Sequence, residues 1–297
     1  MWILPGILSA LFLGIYDICK KLSLRDNDVL AVLFLSNCAA LMLTIPVFIG
    51  SFIAPDMMHH LTLQADLPSV RQHGFILGKT LLVSSSWIAA FFALKHLPIS
   101  IVSPIRASAP LWTLIGATLL FGETLKPLHW GAIGITFVSY YIFSVVGKLE
   151  GIRFSRNLWM LLVAIATLTG AISALYDKYL LHHIGINPIT MQVWFSFYLV
   201  IVNGTVFGVS RLYAGTPIQF EWRYSILLIG VFLIVADFLY FRALSHPDAL
   251  IAILSVVRRG SVVVSFVVGG ILFGELNKRK KMIPLLGVLT GVILLLF

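Results

Sequence analysis

Long apolar segments follow one another along almost the whole chain, and they constrain the fold more than any other feature. A helix needs about 20 mostly apolar residues to cross a bilayer. A spanning strand would be about ten residues long with alternating polarity, so these longer, continuous runs predict helices. The segments are 2–18, 29–53, 77–94, 99–121, 130–146, 159–176, 191–209, 224–241, 249–272 and 282–297. We therefore expect an all-α membrane protein with ten transmembrane helices.

The composition indicates the same environment. Hydrophobic residues make up 59% of the 297 residues and charged residues only 11%, whereas a soluble domain carries about 25% charged residues. A single soluble core could not bury this much apolar surface, so lipid must be the solvent. The net charge of +9 then reflects basic residues in short connections, where they set membrane orientation. It does not predict a nucleic-acid partner.

The two halves of the sequence repeat the same features in the same order, which predicts a duplicated unit. Ser103, Arg106 and Phe121-Gly122-Glu123 recur at one constant offset as Ser255, Arg258 and Phe273-Gly274-Glu275. Three further matches are Tyr16-Asp17 with Tyr176-Asp177, Phe34-x-Ser36 with Trp194-x-Ser196, and Phe91-x-Ala93-Leu94-x-His96 with Phe241-x-Ala243-Leu244-x-His246.

A polar, basic connection divides the repeats. Residues 149–156 separate five predicted helices from five, so we expect one unit in residues 1–148 and another in 157–297. Since five is an odd number, the second unit must enter the membrane from the opposite side. This is an inverted repeat, which places a site near the midplane between the units.

These residues resemble the drug/metabolite transporter superfamily, specifically a protein with two EamA domains in tandem. The resemblance covers essentially the whole chain, and its most specific parts are the two Phe-Gly-Glu endings and the two Ala-Leu-x-His motifs. It implies a secondary transporter, not an enzyme, whose central cavity is walled largely by helices 1, 3, 4, 6, 8 and 9. Because related proteins carry amino acids, nucleosides, sugars, phosphorylated metabolites and drugs, the resemblance does not identify the substrate.

Three arginines interrupt the matched apolar segments: Arg106, Arg258 and Arg259. An arginine deep in a bilayer costs at least about 2.5 kcal/mol, so it needs a partner, a wet cavity or a ligand. One interpretation is an anion site, in which Arg106 and Arg258 grip a carboxylate or phosphate with paired hydrogen bonds. The alternative is internal pairing, for example of Arg258 with Asp237 or with backbone carbonyls.

Asp237 lies deep in the eighth predicted helix. It can bind a substrate ammonium, carry a coupling proton or neutralise Arg258, and membrane charges usually pair. We expect Trp87, Tyr240 and Trp194 to supply apolar walls around the same substrate.

Each Tyr-Asp pair stands near the end of a helix, on opposite predicted sides of the membrane. We predict that Tyr16, Asp17, Tyr176 and Asp177 belong to gates or take part in coupling. The alternative for Asp17 is a surface pair with Lys20 or Lys21, which follow it by three and four residues. The sequence carries no recognisable motif for a cofactor, a metal or a catalytic triad, so we expect none of these.

The sequence therefore predicts a transporter that moves a small organic metabolite, with an anionic group, by alternating access. Two alternatives are a flippase for a lipid-linked cargo and an exporter of cationic or amphipathic compounds that uses Asp237. The predicted partners are the small-molecule substrate, the lipid bilayer and a coupling proton or ion. A monomer and a homodimer are both compatible with ten helices.

We expect a multi-pass protein of the plasma membrane, specifically a bacterial inner membrane. Lys and Arg are more numerous in the connections on one predicted side, and the positive-inside rule puts those connections in the cytoplasm and both termini outside. Related transporters usually have both termini in the cytoplasm, so the charge distribution and the resemblance predict opposite orientations.

Overall fold

The computed structural model describes residues 2–106, 108–121, 127–149, 157–213, 220–246, 249, 254, 257–258, 260–274 and 277–294. Every regular element in these ranges is helical, which confirms the all-α prediction. The helices are α1 (Ile3–Leu24), α2 (Val29–Ile53), α3 (Pro55–His60), α4 (Val70–His96), α5 (Ile99–Arg106), α6 (Ala109–Phe121), α7 (Pro127–Lys148), α8 (Leu158–Lys178), α9 (Pro188–Tyr213), α10 (Tyr224–Leu244), α11 (Ser261–Leu272) and α12 (Lys278–Leu294). A π-helical turn, Tyr179–His183, continues α8.

Six helices in the described ranges are long and apolar enough to cross a membrane. They are α1, α2, α4, α8 together with its π-helical turn, α9 and α10. Two shorter apolar helices cover Leu111–Leu120 and Ser261–Leu272. The described part of the chain thus has the pattern of a multi-pass membrane protein.

The long helix α4 begins seven residues earlier than the sequence predicts. Ser69 and Gln72 form a capping box at its start, in which the Ser69 side chain accepts from the Gln72 amide and the Gln72 side chain accepts from the Ser69 amide. Such a box satisfies amides that have no partner within the helix, so a polar first turn is stable. The earlier start moves Lys79 from the predicted first turn into the body of α4.

The predicted segment 99–121 is two helices. α5 ends at Arg106 and α6 begins at Ala109, with Ser108 in the turn between them. Proline disfavours a continuous helix because it has no amide hydrogen to donate, and residues 104 and 110 are both prolines. The break leaves Arg106 at the carboxyl end of a short helix, where the helix dipole favours a positive charge.

Parts of the second matched segment lie outside the described residues. Among them are residues 250–253, 255–256 and 259, and Glu275 of the second Phe-Gly-Glu ending. Glu123 of the first Phe-Gly-Glu ending also lies outside the described residues. Of the predicted segment 249–272, the structure gives the helix α11 from Ser261 onward. Residues 295–297 at the end of the last predicted helix also lie outside.

The helices pack as a bundle around its long members. α1 packs against α10 and α11, α4 packs against α8 and α9, α2 lies between α9 and α10, and α7 packs against α12. Gly230 allows α10 to approach the backbone of α2, because a Cβ there would lie 2.5 Å from the Ser36 carbonyl oxygen and 2.7 Å from the Ala40 nitrogen. Small residues allow this close approach between membrane helices.

Candidate functional site

A cavity of about 140 Å³ lies among α1, α4, α5, α8, α9, α10 and the start of α11. Six charged residues line it, although each lies in a predominantly apolar segment: Asp17, Lys79, Arg106, Asp177, Asp237 and Arg258. Its aromatic wall consists of Tyr16, Trp87, Phe195, Tyr240 and Phe241. The cavity therefore combines apolar walls with a high density of charge, as expected for a site that binds a polar solute inside a membrane protein.

Arg258 is paired inside the protein. Its Nη2 donates to Asp237 Oδ1, and its Nε donates to Ser9 Oγ at 3.2 Å. The Ser9 hydroxyl in turn donates to the Ala236 carbonyl at 2.7 Å, and the guanidinium lies 4.2 Å from the centroid of the Tyr240 ring. The internal pairing that the sequence left open is thus present in the structure, and it ties α1, α10 and Arg258 together.

Lys79 and Asp177 form a second ion pair in the cavity wall. Only 2% of Lys79 and 5% of Asp177 is exposed. The Lys79 ammonium lies 4.6 Å from the centroid of the Phe195 ring and 5.0 Å from that of Phe241, which are cation–π contacts. The sequence pattern predicts Asp177 as a site residue but not Lys79, because the apolar run indicates a helix start that is too late in the chain.

Asp17 and Lys20 form the third pair, at 2.7 Å. The predicted alternative for Asp17 is a pair with Lys20 or Lys21 at the surface. The pair with Lys20 is present, but the surface location is wrong because Lys20 is only 1% exposed. Its ammonium lies 4.3 Å from the ring centroid of Tyr16 and 5.1 Å from that of Phe91. The next residue, Lys21, donates to the backbone carbonyls of Leu94 and Leu97 at the end of α4.

Arg106 differs from the other cavity cations. Within the described part of the chain, its guanidinium makes no ion pair and no hydrogen bond, and it is only half-buried. The three cavity carboxylates, of Asp17, Asp177 and Asp237, are each already paired with another cation. Among the described residues, Arg106 is therefore the positive charge in the cavity wall that has no counter-ion.

Two of the predicted site residues lie elsewhere. Trp194 does not line the cavity. It packs edge-on against His73, with ring centroids 4.5 Å apart. Successive helical side chains point about 100° apart, and the next residue, Phe195, takes the place in the wall that we expected for Trp194. Tyr176 also lies outside the lining, where its hydroxyl donates to the Phe75 carbonyl at 3.3 Å.

A second cavity, of about 600 Å³, lies at the end of the bundle that carries α3. Its lining comes from the segment between α3 and α4, the start of α9 and the end of α10, and includes Gln64, Asp66, Gln192, Phe241 and Arg242. We call it the outer cavity and the charged one the inner cavity. The outer cavity is not predictable from the sequence, since its residues come from connections and helix ends that are distant in the chain.

The sequence of the first half matches a known family. Residues 1–145 match the EamA-like transporter family. The resemblance noted from the sequence is thereby confirmed over residues 1–145. Together with the six helices that are long and apolar enough to cross a membrane, this match indicates a multi-pass membrane transporter of small molecules.

The fold of this chain is also found in solved structures. One, described only as "Crystal structure of protein", has a TM-score of 0.67 and 13% sequence identity over 99% of this chain and 95% of that chain. At that identity the similarity concerns the fold alone, and it extends over both halves. No curated protein matches the sequence.

Proposed function

We propose that this protein is a secondary transporter that moves a small organic metabolite with an anionic group across the membrane by alternating access. The observation that carries the proposal is Arg106, whose guanidinium lines the inner cavity without an ion pair among the described residues. A charge in a membrane interior without a counter-ion is costly. A substrate carboxylate or phosphate would supply one through two parallel hydrogen bonds.

The size of the inner cavity favours a small cargo. An apolar cavity of about 150 Å³ holds a benzene molecule, and the inner cavity measures about 140 Å³. A short carboxylate or a similarly small anion fits this volume, whereas a nucleotide sugar or a lipid-linked sugar requires considerable widening. The volume therefore supports a soluble metabolite over the flippase alternative.

The pairing of Asp237 disfavours the cation exporter. Asp237 already accepts a hydrogen bond from Arg258 and is only 8% exposed. A cationic cargo would have to displace that arginine and leave its charge without a partner, which is unfavourable in a buried site.

The packing of the helices supports two inverted units, in residues 1–148 and 157–297. If α1, α2, α4, α5–α6 and α7 correspond to α8, α9, α10, α11 and α12, the contacts between the halves occur in exchanged pairs. The contact of α1 with α10 corresponds to that of α8 with α4, and the contact of α2 with α10 corresponds to that of α9 with α4. Exchanged contacts of this kind favour rocking of one unit against the other around a shared site.

The proposal is tested by binding followed by flux. A thermal-shift screen with small carboxylates, phosphates and amines identifies compounds that stabilise the purified protein, because binding to the folded state raises its apparent stability. We expect the stabilising compounds to be anions. Their uptake into proteoliposomes should fall about tenfold or more in Arg106→Gln, as expected for loss of a charged contact, with partial recovery in Arg106→Lys.

A matched control is Arg242→Gln, which removes an arginine from the outer cavity and leaves Arg106 in place. We expect a smaller effect on uptake there. Stabilisation by amines alone, or equal uptake in Arg106→Gln and in the unaltered protein, would overturn the assignment.

A further inference from the structure

The two cavities share a single residue among those described in their linings. Phe241 lines both the inner cavity and the outer cavity. Only 2% of this residue is exposed, so it is a buried residue that borders both cavities and not a surface group. If its ring is what separates them, removal of the ring would join about 600 Å³ of outer space to about 140 Å³ of inner space.

The position of this ring is coupled to an ion pair. The Lys79 ammonium lies 5.0 Å from the Phe241 centroid while it pairs with Asp177. Tyr240 packs against the same ring, with centroids 5.2 Å apart. Since a cation above an aromatic face attracts the ring, the Lys79–Asp177 pair favours the position in which Phe241 separates the cavities.

A corresponding arrangement lies farther along α4. Phe91 matches Phe241 in the sequence repeat, and its ring contacts Lys20, which pairs with Asp17. Phe91 follows Lys79 by twelve residues of α4, which is about 18 Å at 1.5 Å per residue. The two arrangements therefore lie at different depths, and Phe91 lines neither of the two cavities.

We propose that Phe241 is the gate between the outer and the inner cavity, that the Lys79–Asp177 pair holds it closed, and that it limits the size of the cargo that passes. Phe91, with Lys20 and Asp17, is the corresponding element toward the opposite end of the bundle. The assignment of a cargo rests on the proposed function, whereas the separation of the two cavities does not.

An anionic cargo gives this gate a simple means of opening. As the anion approaches from the outer cavity, it competes with Asp177 for the Lys79 ammonium. Weakening of the ion pair releases the contact between Lys79 and the Phe241 ring, and the ring can then change rotamer. Once the anion reaches Arg106, Lys79 and Asp177 pair again and the ring closes behind the cargo.

The test measures access to the inner cavity without any substrate. Cys19 and Cys38, the two free cysteines, are replaced by alanine, and Ala174→Cys places a reporter in the inner cavity lining. A second reporter, Gln64→Cys, lies in the outer cavity. Proteoliposomes are treated with a small membrane-impermeant methanethiosulfonate. Modification of the inner reporter is counted only for the protein molecules whose outer cavity faces the reagent, as shown by exposure of the Gln64→Cys reporter.

We expect Phe241→Ala to accelerate modification of the inner reporter by about tenfold or more, since the closed population is reduced. Phe241→Trp keeps a ring at the gate, so it should leave modification slow. Phe91→Ala is the matched control, and it should not accelerate modification from the side that carries α3. The outer reporter should react at the same rate in every variant.

The gate would be refuted if a folded Phe241→Ala protein showed an unchanged rate of modification of the inner reporter. It would also be refuted if Phe91→Ala accelerated that modification equally. Folding of each variant is checked by its elution as a single species and by its Tm. Because no cargo is present, this result is independent of the flux measurements on Arg106. A gate that fails here leaves the proposed anion transport intact, and a failure of anion transport leaves the gate intact.

Discussion

Lys79 on α4 and Asp177 on α8 form a buried ion pair that joins the two halves of the chain. Two further pairs contribute to the lining of the inner cavity, Asp17 with Lys20 and Asp237 with Arg258. Each pair neutralises a carboxylate in an apolar environment, so among the described residues Arg106 is the charge in the cavity wall that has no counter-ion. Under the proposed anion transport, the selectivity of the site depends as much on these pairs as on the arginine.

We predict that loss of one partner from the Lys79–Asp177 pair is strongly destabilising. Asp177→Asn leaves the Lys79 charge buried without a counter-ion, which typically costs about 3–5 kcal/mol. The double variant Lys79→Met with Asp177→Leu removes both charges and should recover much of this loss. The free energy of unfolding of the detergent-solubilised protein measures both effects.

The exposed pair of Arg25 and Asp26 is the control for that comparison. Both side chains are at least 80% exposed and the atoms lie 3.7 Å apart, so Arg25→Gln should change stability by less than about 1 kcal/mol. An equally small effect of Asp177→Asn would show that water reaches the inner pair and that it does not hold the halves together.

We predict that Asp237→Asn changes the preferred charge of the cargo. The substitution frees Arg258, which then lies in the same cavity as Arg106 without a carboxylate partner. Two free guanidinium groups favour a dianion, so the affinity for a dianion relative to the matching monoanion should rise about tenfold. Thermal shifts against pairs of mono- and dicarboxylates of similar size measure this ratio.

Asp66→Asn in the outer cavity is the matched control for this charge change. It removes the same charge outside the inner cavity and should leave the ratio unchanged. If Asp237→Asn also leaves the ratio unchanged, Arg258 does not contact the cargo and serves only to pack α1 against α10.

The sequence identified the helices better than it identified the contacts between them. The bounds predicted for α2, 29–53, agree with the structure because the run is predominantly apolar without a charged residue and Asp28 caps its start. The capping box at Ser69 was not recognised, so α4 was predicted to begin late and Lys79 was missed. The ten-helix inverted repeat stays a prediction, although the exchanged contacts between the halves support it.

Only part of the candidate site is predictable from the sequence, and the reason is again physical. The apolar segments around Arg106, Arg258 and Asp237 marked these residues, because such charges are rare in membrane helices. Which of them pair depends on helix rotation and packing, which periodicity in a uniformly apolar helix does not determine. The error for Trp194 has the same origin, since the cavity wall contains its neighbour Phe195.

We predict that the two aromatic residues, Trp87 and Trp194, differ in their effect on transport. Trp87 lines the inner cavity, whereas Trp194 packs against Phe48 and His73 outside it. Trp87→Ala should enlarge the inner cavity and shift uptake toward larger anions, whereas Trp194→Ala should mainly lower stability, by about 3–5 kcal/mol if no neighbour fills the space. Uptake of a size series of anions, measured with Tm, separates the two effects. A matching change in cargo size for both variants would contradict the assigned wall.

We predict that the contact between α2 and α10 tolerates no added side-chain atom at Gly230. A Cβ at this position would lie 2.5 Å from the Ser36 carbonyl oxygen and 2.7 Å from the Ala40 nitrogen, both of which are backbone atoms that cannot rotate away. Gly230→Ala should therefore separate the helices and destabilise the protein by about 1–3 kcal/mol, as overpacking does elsewhere. Gly208→Ala on α9 is the matched control, since nothing lies within 4 Å of its added Cβ.

The control should be neutral or stabilising by up to about 1 kcal/mol, because alanine is the better helix former. The comparison also bears on transport, since α10 carries Asp237 and Phe241 into the cavity walls. If α10 moves away from α2, both residues shift and uptake should fall together with Tm. Loss of stability without loss of uptake would show that α10 positions the site through α1, whose Ser9 donates to Ala236, and not through α2.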